Sequence, residues 1–443
     1  MNGQSLGALA VARTETPSDR ERTLRGVSAS LQTMGALSVK PAAGAAVAVL
    51  LPTGQSAEAG LAALKASGVS VTSNTGYWAT LKASDAAAAR ALVADGTVQY
   101  AEYLSPLKTH GLPTPSDTLM VNQNKYLPMT NQYGAWSQVD QGCKNIVVAV
   151  IDTGWTGSTA HAEANLVPKS AWFDAFGHQK GVAAPSGEVD PHGTAVASII
   201  AMTTNGGGVG VSTSYNLVKV LPINVASGAR NLDFPSVAVA MDYAMGSVTV
   251  DGVTYTNPYP ARVLNMSFGG DSATEYFTGL FRRAADRGVV VVASVGNTLT
   301  TNKTTDTSSA QFSIGAGGVM FDGSHWKDPY TAGQGSSSGP GVDAAAPSMA
   351  VPSIVNGQEQ YWSGTSFAAP WMSSQIALWM YANEQYRADG SPTNGLKGQA
   401  LYDHLIGCFK VAGSQKGARN DDVGYGRLDT GLMVAANTTA CRR

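Results

Sequence analysis

From Asn145 onward the chain alternates short apolar runs with longer helical patterns, and this restricts the fold more than any other feature. Ile146 to Ile151 is apolar throughout, without the in-out alternation of a strand that has one wet face. Such a run suits a parallel strand buried on both sides. Similar runs recur at Asn216 to Leu221, Arg262 to Met266 and Gly288 to Ser294. Helical patterns fill the intervals at Thr194 to Met202, Pro235 to Met245 and Thr274 to Arg287. The predicted fold class is α/β with a central parallel sheet, whose sites lie at the carboxyl ends of its strands.

The first part of the chain follows other rules. Residues 1–44 are polar with scattered Arg and no sustained period, and read as a flexible arm. Residues 45–106 give strand, helix, strand, strand, helix, strand. Ala45 to Leu51 stops at Pro52-Thr53-Gly54, and Ser56 caps a helix that ends at Gly68. Two strands flank Asn74-Thr75-Gly76, a second helix runs from Ser84-Asp85 to Asp95-Gly96, and Val98 to Tyr103 closes the unit. This βαββαβ order predicts a small ferredoxin-like α+β domain. Residues 107–142, rich in Pro, Asn and Gln, read as a linker and surface wrap, and residues 143–443 as the main domain.

Composition excludes several functions. Charged residues are 14% of the chain, against about 25% in an average soluble protein. With 29 basic and 31 acidic side chains the net charge is −2, so there is no basic field for nucleic acid or anionic lipid. No apolar run has the length a membrane helix needs. The apolar stretch Leu6 to Ala12 is short and has no basic residue before it, unlike a signal peptide. Three cysteines, Cys143, Cys408 and Cys441, show no zinc spacing. Cys408 and Cys441 either pair in an oxidising compartment or remain free thiols.

Four residue types with complementary chemistry fall at strand ends or helix starts. Asp152 ends the run Val150-Ile151-Asp152-Thr153-Gly154. His192 opens a helix in Asp190-Pro191-His192-Gly193-Thr194. Asn297 follows the run Val289 to Ser294, in Val295-Gly296-Asn297. Ser366 sits at a glycine-led turn into a long apolar helix, Ser363-Gly364-Thr365-Ser366-Phe367-Ala368-Ala369-Pro370, with Pro370 read as part of its first turn. Singly, each has an ordinary structural role as a cap or a strand end. Together they supply a nucleophile, a base, a carboxylate to orient the base, and an amide donor.

The blocks Asp152-Thr153-Gly154, His192-Gly193-Thr194 and Gly364 to Pro370, in that order, resemble the subtilisin-like serine proteases (subtilases, peptidase family S8). Asn265 to Gly270, Ala345-Ala346-Pro347, His161 to Leu166 and Gly424 to Asp429 resemble further family segments. The resemblance implies a three-layer domain and a serine endopeptidase acting through an acyl-enzyme. It implies Ser366 as nucleophile, His192 as general base, Asp152 as its orienting partner and Asn297 as oxyanion donor. Ser267 and Gly269 would pair with the backbone of a polypeptide substrate. Phe268, Gly296 and Thr298 would line the pocket for the residue before the scissile bond (P1), favouring apolar or aromatic side chains. Residues 45–106 resemble an inhibitory propeptide, so the chain would be a self-processed zymogen cut somewhere from about 103 to 120.

Departures from the family pattern are Pro191 before the histidine, Ala195 three residues after it, Trp371 after the GTS-block proline, and Thr298. No cofactor is required, and a structural calcium is weakly supported because Asn205 to Val211 is shorter than the family's calcium loop. The resemblance and low charge point to secretion; the missing signal leaves a cytoplasmic enzyme as the alternative. Two other functions remain open: a protease-shaped binding protein held shut by its N-terminal unit, and a peptide ligase. There is no HExxH, phosphate loop or GxSxG elbow, and the other histidines, His178, His325 and His404 among them, are expected on the surface.

Overall fold

The computed structural model describes residues 46–50, 57–74, 78–98, 100–104, 125–139, 146–157, 163–183, 190–201, 218–227, 232–271, 274–383, 395–435 and 441. The arm over 1–44 and the segment Asn205 to Val211 lie outside the described residues. The chain divides into two compact units, Met1–Thr109 and His110–Arg443.

The first unit contains strand β1 (Ala46–Leu50), helix α1 (Ala57–Ala66), β2 (Val71–Asn74), β3 (Trp78–Lys82), α2 (Ala86–Ala94) and β4 (Tyr100–Leu104). Its sheet order is β2-β3-β1-β4, with every pairing antiparallel. Val47 and Val49, two apart on β1, share a core with Leu64, Leu81, Ala89 and Leu92. The strand period of two and the helical i, i+3 spacing thus deliver their apolar residues to one place. The element order is the βαββαβ predicted from the sequence.

The second unit is built on an eight-stranded sheet, ordered β14-β13-β12-β11-β5-β8-β6-β7. Helix α3 (Gln132–Trp136) precedes β5 (Ile146–Asp152). The short edge strands β6 (Phe173–Asp174) and β7 (Gln179–Lys180) and helix α4 (His192–Ala201) follow. Next come β8 (Val218–Asn224), α5 (Phe234–Ala244), the hairpin β9 (Ser247–Val250) and β10 (Val253–Thr256), and β11 (Val263–Met266). The chain continues through α6 (Thr274–Asp286), β12 (Val290–Ser294), α7 (Asp306–Ser309), β13 (Ser313–Val319) and β14 (Ala344–Pro347). It ends with a second hairpin, β15 (Val351–Val355) and β16 (Gln358–Trp362), then α8 (Thr365–Asn383), α9 (Gly398–Ala412) and α10 (Thr430–Val434).

All pairings in this sheet are parallel except β6 with β7. Every residue of β5 and β12 is buried, as their unbroken apolar runs require. Helices α4 and α8 pack on each other, and α5 and α6 form a second touching pair. β8 lies on one side of β5 and β11 on the other. The chain therefore reverses direction across the sheet at β5, where α/β folds hold their ligands.

Two features depart from the expectation. The stretch 107–142 is no simple surface wrap. Within its described part Tyr126, Leu127, Trp136 and Val139 are buried in the main core. Asn131 Nδ2 donates to Asp429 Oδ1 at 2.8 Å, and Thr430 N–H to the Thr130 carbonyl at 2.8 Å. The apolar residues are too irregularly spaced to register as a period, yet they bind this segment to the start of α10. Secondly, His178, His325 and His404 are partly buried. His178 Nδ1 lies 3.4 Å from Asp251 Oδ2, His404 packs on Trp379, and burial lowers the pKa of His325.

Cys408 and Cys441 form a disulfide across 33 residues of sequence, which fastens the chain end to α9. Trp379 Nε1 donates to the Cys441 carbonyl at 2.7 Å. Replacing both cysteines with serine should cost about 3–4 kcal/mol, the loop entropy of such a closure. This would appear as a lower urea midpoint, absent when the parent is measured fully reduced.

Candidate active site

Asp152 stands at the carboxyl end of β5, almost wholly buried. Its Oδ1 accepts the Thr153 N–H at 2.7 Å and lies 2.8 Å from His192 Nδ1. A buried carboxylate there fixes the imidazole so that Nδ1 carries the proton and Nε2 is the basic nitrogen.

The histidine helix is docked by three contacts. Asp190 Oδ1 accepts the His192 N–H at 2.8 Å, the geometry of an N-cap, and Pro191 occupies the first position, where an N–H would go unused. This explains why proline is tolerated before the histidine. Thr153 Oγ1 donates to the Asp190 carbonyl at 2.8 Å and accepts the Gly193 N–H at 2.9 Å. A Cβ on Gly193 would lie 2.5 Å from the Gly154 carbonyl oxygen, so the helix reaches the strand end only with glycine at this position.

Ser366 lies at the start of α8, just after Gly364, whose φ of 148° is a conformation that side chains resist. Ser366 Oγ donates to the Ser267 carbonyl at 3.0 Å. His192 and Ser366 line one cleft of about 340 Å³, together with Asp152, Asn297, Phe367 and Trp362. Trp362 meets Phe367 at a tilt, ring centroids 5.5 Å apart, and Phe367 meets the His192 ring at a tilt at 5.6 Å.

Asn297 is oriented by Thr365, a residue the sequence reading passed over. Its Oδ1 accepts both the Thr365 N–H and the Thr365 hydroxyl, each at 2.8 Å. A backbone N–H only donates, so this edge must be the oxygen, and Nδ2 is left as the donating edge. Thr365 Oγ1 also accepts the Gly296 N–H at 3.1 Å. The only sequence signal for this role is its place next to the serine.

Beside the cleft a second cavity of about 410 Å³ lies between Ser267 to Gly269 and Ser294 to Thr298. All five residues expected to bind substrate, Ser267, Phe268, Gly269, Gly296 and Thr298, line it. Its two walls are joined by residues 305–307, which no sequence motif marks. Thr305 Oγ1 donates to the Ser294 carbonyl, Thr307 Oγ1 to the Phe268 carbonyl, and Asp306 Oδ1 accepts the Gly270 N–H.

The hydroxyls of Thr298, Thr300 and Ser337 interlink in this cavity, and Lys303 Nζ lies 3.1 Å from Asp271 Oδ2 at its rim. The rim therefore carries an ion pair. A larger cavity of about 570 Å³ contains none of the expected site residues. In it, burial pushes the Asp343 carboxyl up to about 6.

Trp371, a departure from the family pattern, is buried and meets Tyr126 edge-on at 6.0 Å. It packs the helix against the 125–139 segment. Among the described residues no group of three or more His, Cys, Asp or Glu could hold a metal ion. The arrangement can lower the barrier to attack by a serine hydroxyl: an oriented imidazole to take its proton, and an amide beside a helix N-terminus to receive a developing oxyanion.

The chain is similar in sequence to known proteases. The extracellular protease of Xanthomonas campestris pv. campestris is 29% identical over 323 residues, covering 65% of this chain and 53% of that protein. Fervidolysin of Fervidobacterium pennivorans is 27% identical over 256 residues, covering 53% of this chain and 34% of that protein. The chain thus spans only about a third to a half of the length of these relatives. Among solved structures, a protease from Pseudoalteromonas arctica PAMC 21717 aligns with a TM-score of 0.57 at 25% identity, over 73% of this chain and 99% of that one. The epidermin leader peptide processing serine protease of Staphylococcus aureus shares the fold, with a TM-score of 0.54 at 18% identity, over 88% of this chain and 98% of that one. The profile of Peptidase S8, the Subtilase family, matches residues 143–421 of the 443, and the chain belongs to that family.

Proposed function

We propose that the protein is a serine endopeptidase that cleaves polypeptides through an acyl-enzyme. The observation that carries this reading is the 2.8 Å contact of His192 Nδ1 with buried Asp152, in the same cleft as Ser366. A substrate strand pairs with the main chain of Ser267 and Gly269 and places its P1 side chain in the 410 Å³ cavity. Its carbonyl carbon then meets Ser366 Oγ, whose proton passes to His192 Nε2. The carbonyl oxygen gains negative charge facing Asn297 Nδ2 and the N-terminus of α8. His192 returns the proton to the leaving amine, and water, activated by the same base, hydrolyses the ester.

Replacing Asn297 with alanine should lower kcat about 10²- to 10³-fold with little change in KM, a magnitude established for a subtilisin itself. A change in KM alone would show that the amide binds ground state and transition state equally. The proposal as a whole is tested by mass spectrometry of the full chain after treatment with a fluorophosphonate. One adduct on the Ser366 peptide supports it, whereas an unlabelled chain favours a binding protein. Cleaved substrates whose masses include one added water support hydrolysis over ligation.

We further propose that residues 45–106 act as a propeptide and inhibitor. The four-stranded α+β build of the first unit supports this reading. Export is supported by the extracellular proteases among the relatives and by the Cys408–Cys441 disulfide, a bond rare in reducing compartments.

A further inference from the structure

We propose that Ser373, Asn265 and Ser267 form a positioning relay, which replaces a helical hydrogen bond missing at Ser366 and holds the nucleophile's backbone to β11. The proposal rests on the serine-protease reading above. Helix α8 starts at Thr365, so Pro370 is its sixth residue and lies in the second turn, beyond the first turn expected from sequence. In an α-helix the Ser366 carbonyl would accept the N–H of residue 370, and proline has none to give. Ser267 Oγ takes that place, donating to the Ser366 carbonyl at 2.7 Å.

A carbonyl oxygen only accepts, so the Ser267 proton points at it, and two further side chains hold the hydroxyl there. Asn265 Nδ2 donates to Ser267 Oγ at 3.0 Å. An amide NH₂ cannot accept, so the Ser267 proton must point at the carbonyl. Ser373 Oγ donates to Asn265 Oδ1 at 3.0 Å and so partners the amide oxygen while Nδ2 faces Ser267. All three side chains are buried, away from competing water. Ser366 Oγ in turn donates to the Ser267 carbonyl at 3.0 Å, so the two serines are joined by reciprocal bonds. The relay therefore ties the nucleophile to the same residue whose main chain is to seat the substrate. A small displacement between them would be felt in the chemical step more than in binding.

An ordinary buried polar cluster predicts destabilisation and nothing more; the relay also predicts rescue by residue 370. Ser267→Ala should lower the rate of phosphonylation by a fluorophosphonate, and kcat for a peptide, by roughly five- to ten-fold with KM nearly unchanged. Adding Pro370→Ala, which restores an N–H for the Ser366 carbonyl, should recover most of that loss. Ser373→Ala, which frees the Asn265 amide to turn over, should give a smaller loss that Pro370→Ala also relieves. If Ser267→Ala fails to fold, the Ser373 pair carries the same comparison. Phosphonylation at the parent rate in Ser267→Ala, or a loss that Pro370→Ala leaves untouched, overturns the relay. A parent chain that takes no label overturns the protease reading instead, a distinguishable result.

Discussion

Ser366→Ala is expected to reduce peptide cleavage by about six orders of magnitude, the effect known for the nucleophile of a subtilisin itself. The structure explains why no neighbour can take over. The other three hydroxyls of the cleft are engaged elsewhere: Thr153 Oγ1 links the Asp190 carbonyl to the Gly193 N–H, Ser267 Oγ donates to the Ser366 carbonyl, and Ser363 Oγ accepts the Ala350 N–H. None of them opens a helix beside Asn297. Initial rates on a chromogenic peptide, with N-terminal mapping of the purified chain, would read both activity and processing. A variant that cleaves as fast as the parent, or still trims its own N-terminus at the parent rate, would remove Ser366 from the mechanism.

Asp152→Asn should lower kcat about 10⁴-fold while leaving the fold intact. The side-chain oxygen of asparagine can still accept from the Thr153 N–H and His192 Nδ1, so the geometry need not move. What disappears is the negative charge that stabilises the imidazolium formed when Ser366 loses its proton. Asparagine can also turn its NH₂ toward Nδ1, which would place the histidine proton on Nε2 and block the base outright. A large fall in kcat at unchanged melting temperature is the expected result. A fall explained by unfolding, or a loss confined to KM, would show that the carboxylate is structural.

Much of this was legible before any coordinates. The apolar runs located β5, β8, β11 and β12, because a strand buried on both faces admits few polar residues. β13 and β14 were missed: SIGAGGV and AAAP are poor in the β-branched residues that mark strands. Both hairpins were missed as well, although Asp251-Gly252 between β9 and β10 is a recognisable turn pair. Asp152, His192, Asn297 and Ser366 were readable because each keeps a local motif. Thr365, Thr305 and Asp306 were not, since a threonine or aspartate that orients a distant main chain looks like any other polar residue.

By itself, then, the sequence determined the strand and helix alternation, the chain order of aspartate, histidine and serine, and the chemical capacity of each. These are local properties, written in hydrophobic period and in side-chain functional groups. The tertiary structure alone decided which of those groups face one another. Asp152 and His192 are separated by 40 residues, Asn297 and Thr365 by 68, and Ser267 and Ser366 by 99. It also decided directions: which edge of Asn297 donates, and where the Ser267 proton points. A hydrogen bond acts over about 3 Å and a narrow range of angles. No pattern of residue types along a chain specifies either until packing has closed the loops between them.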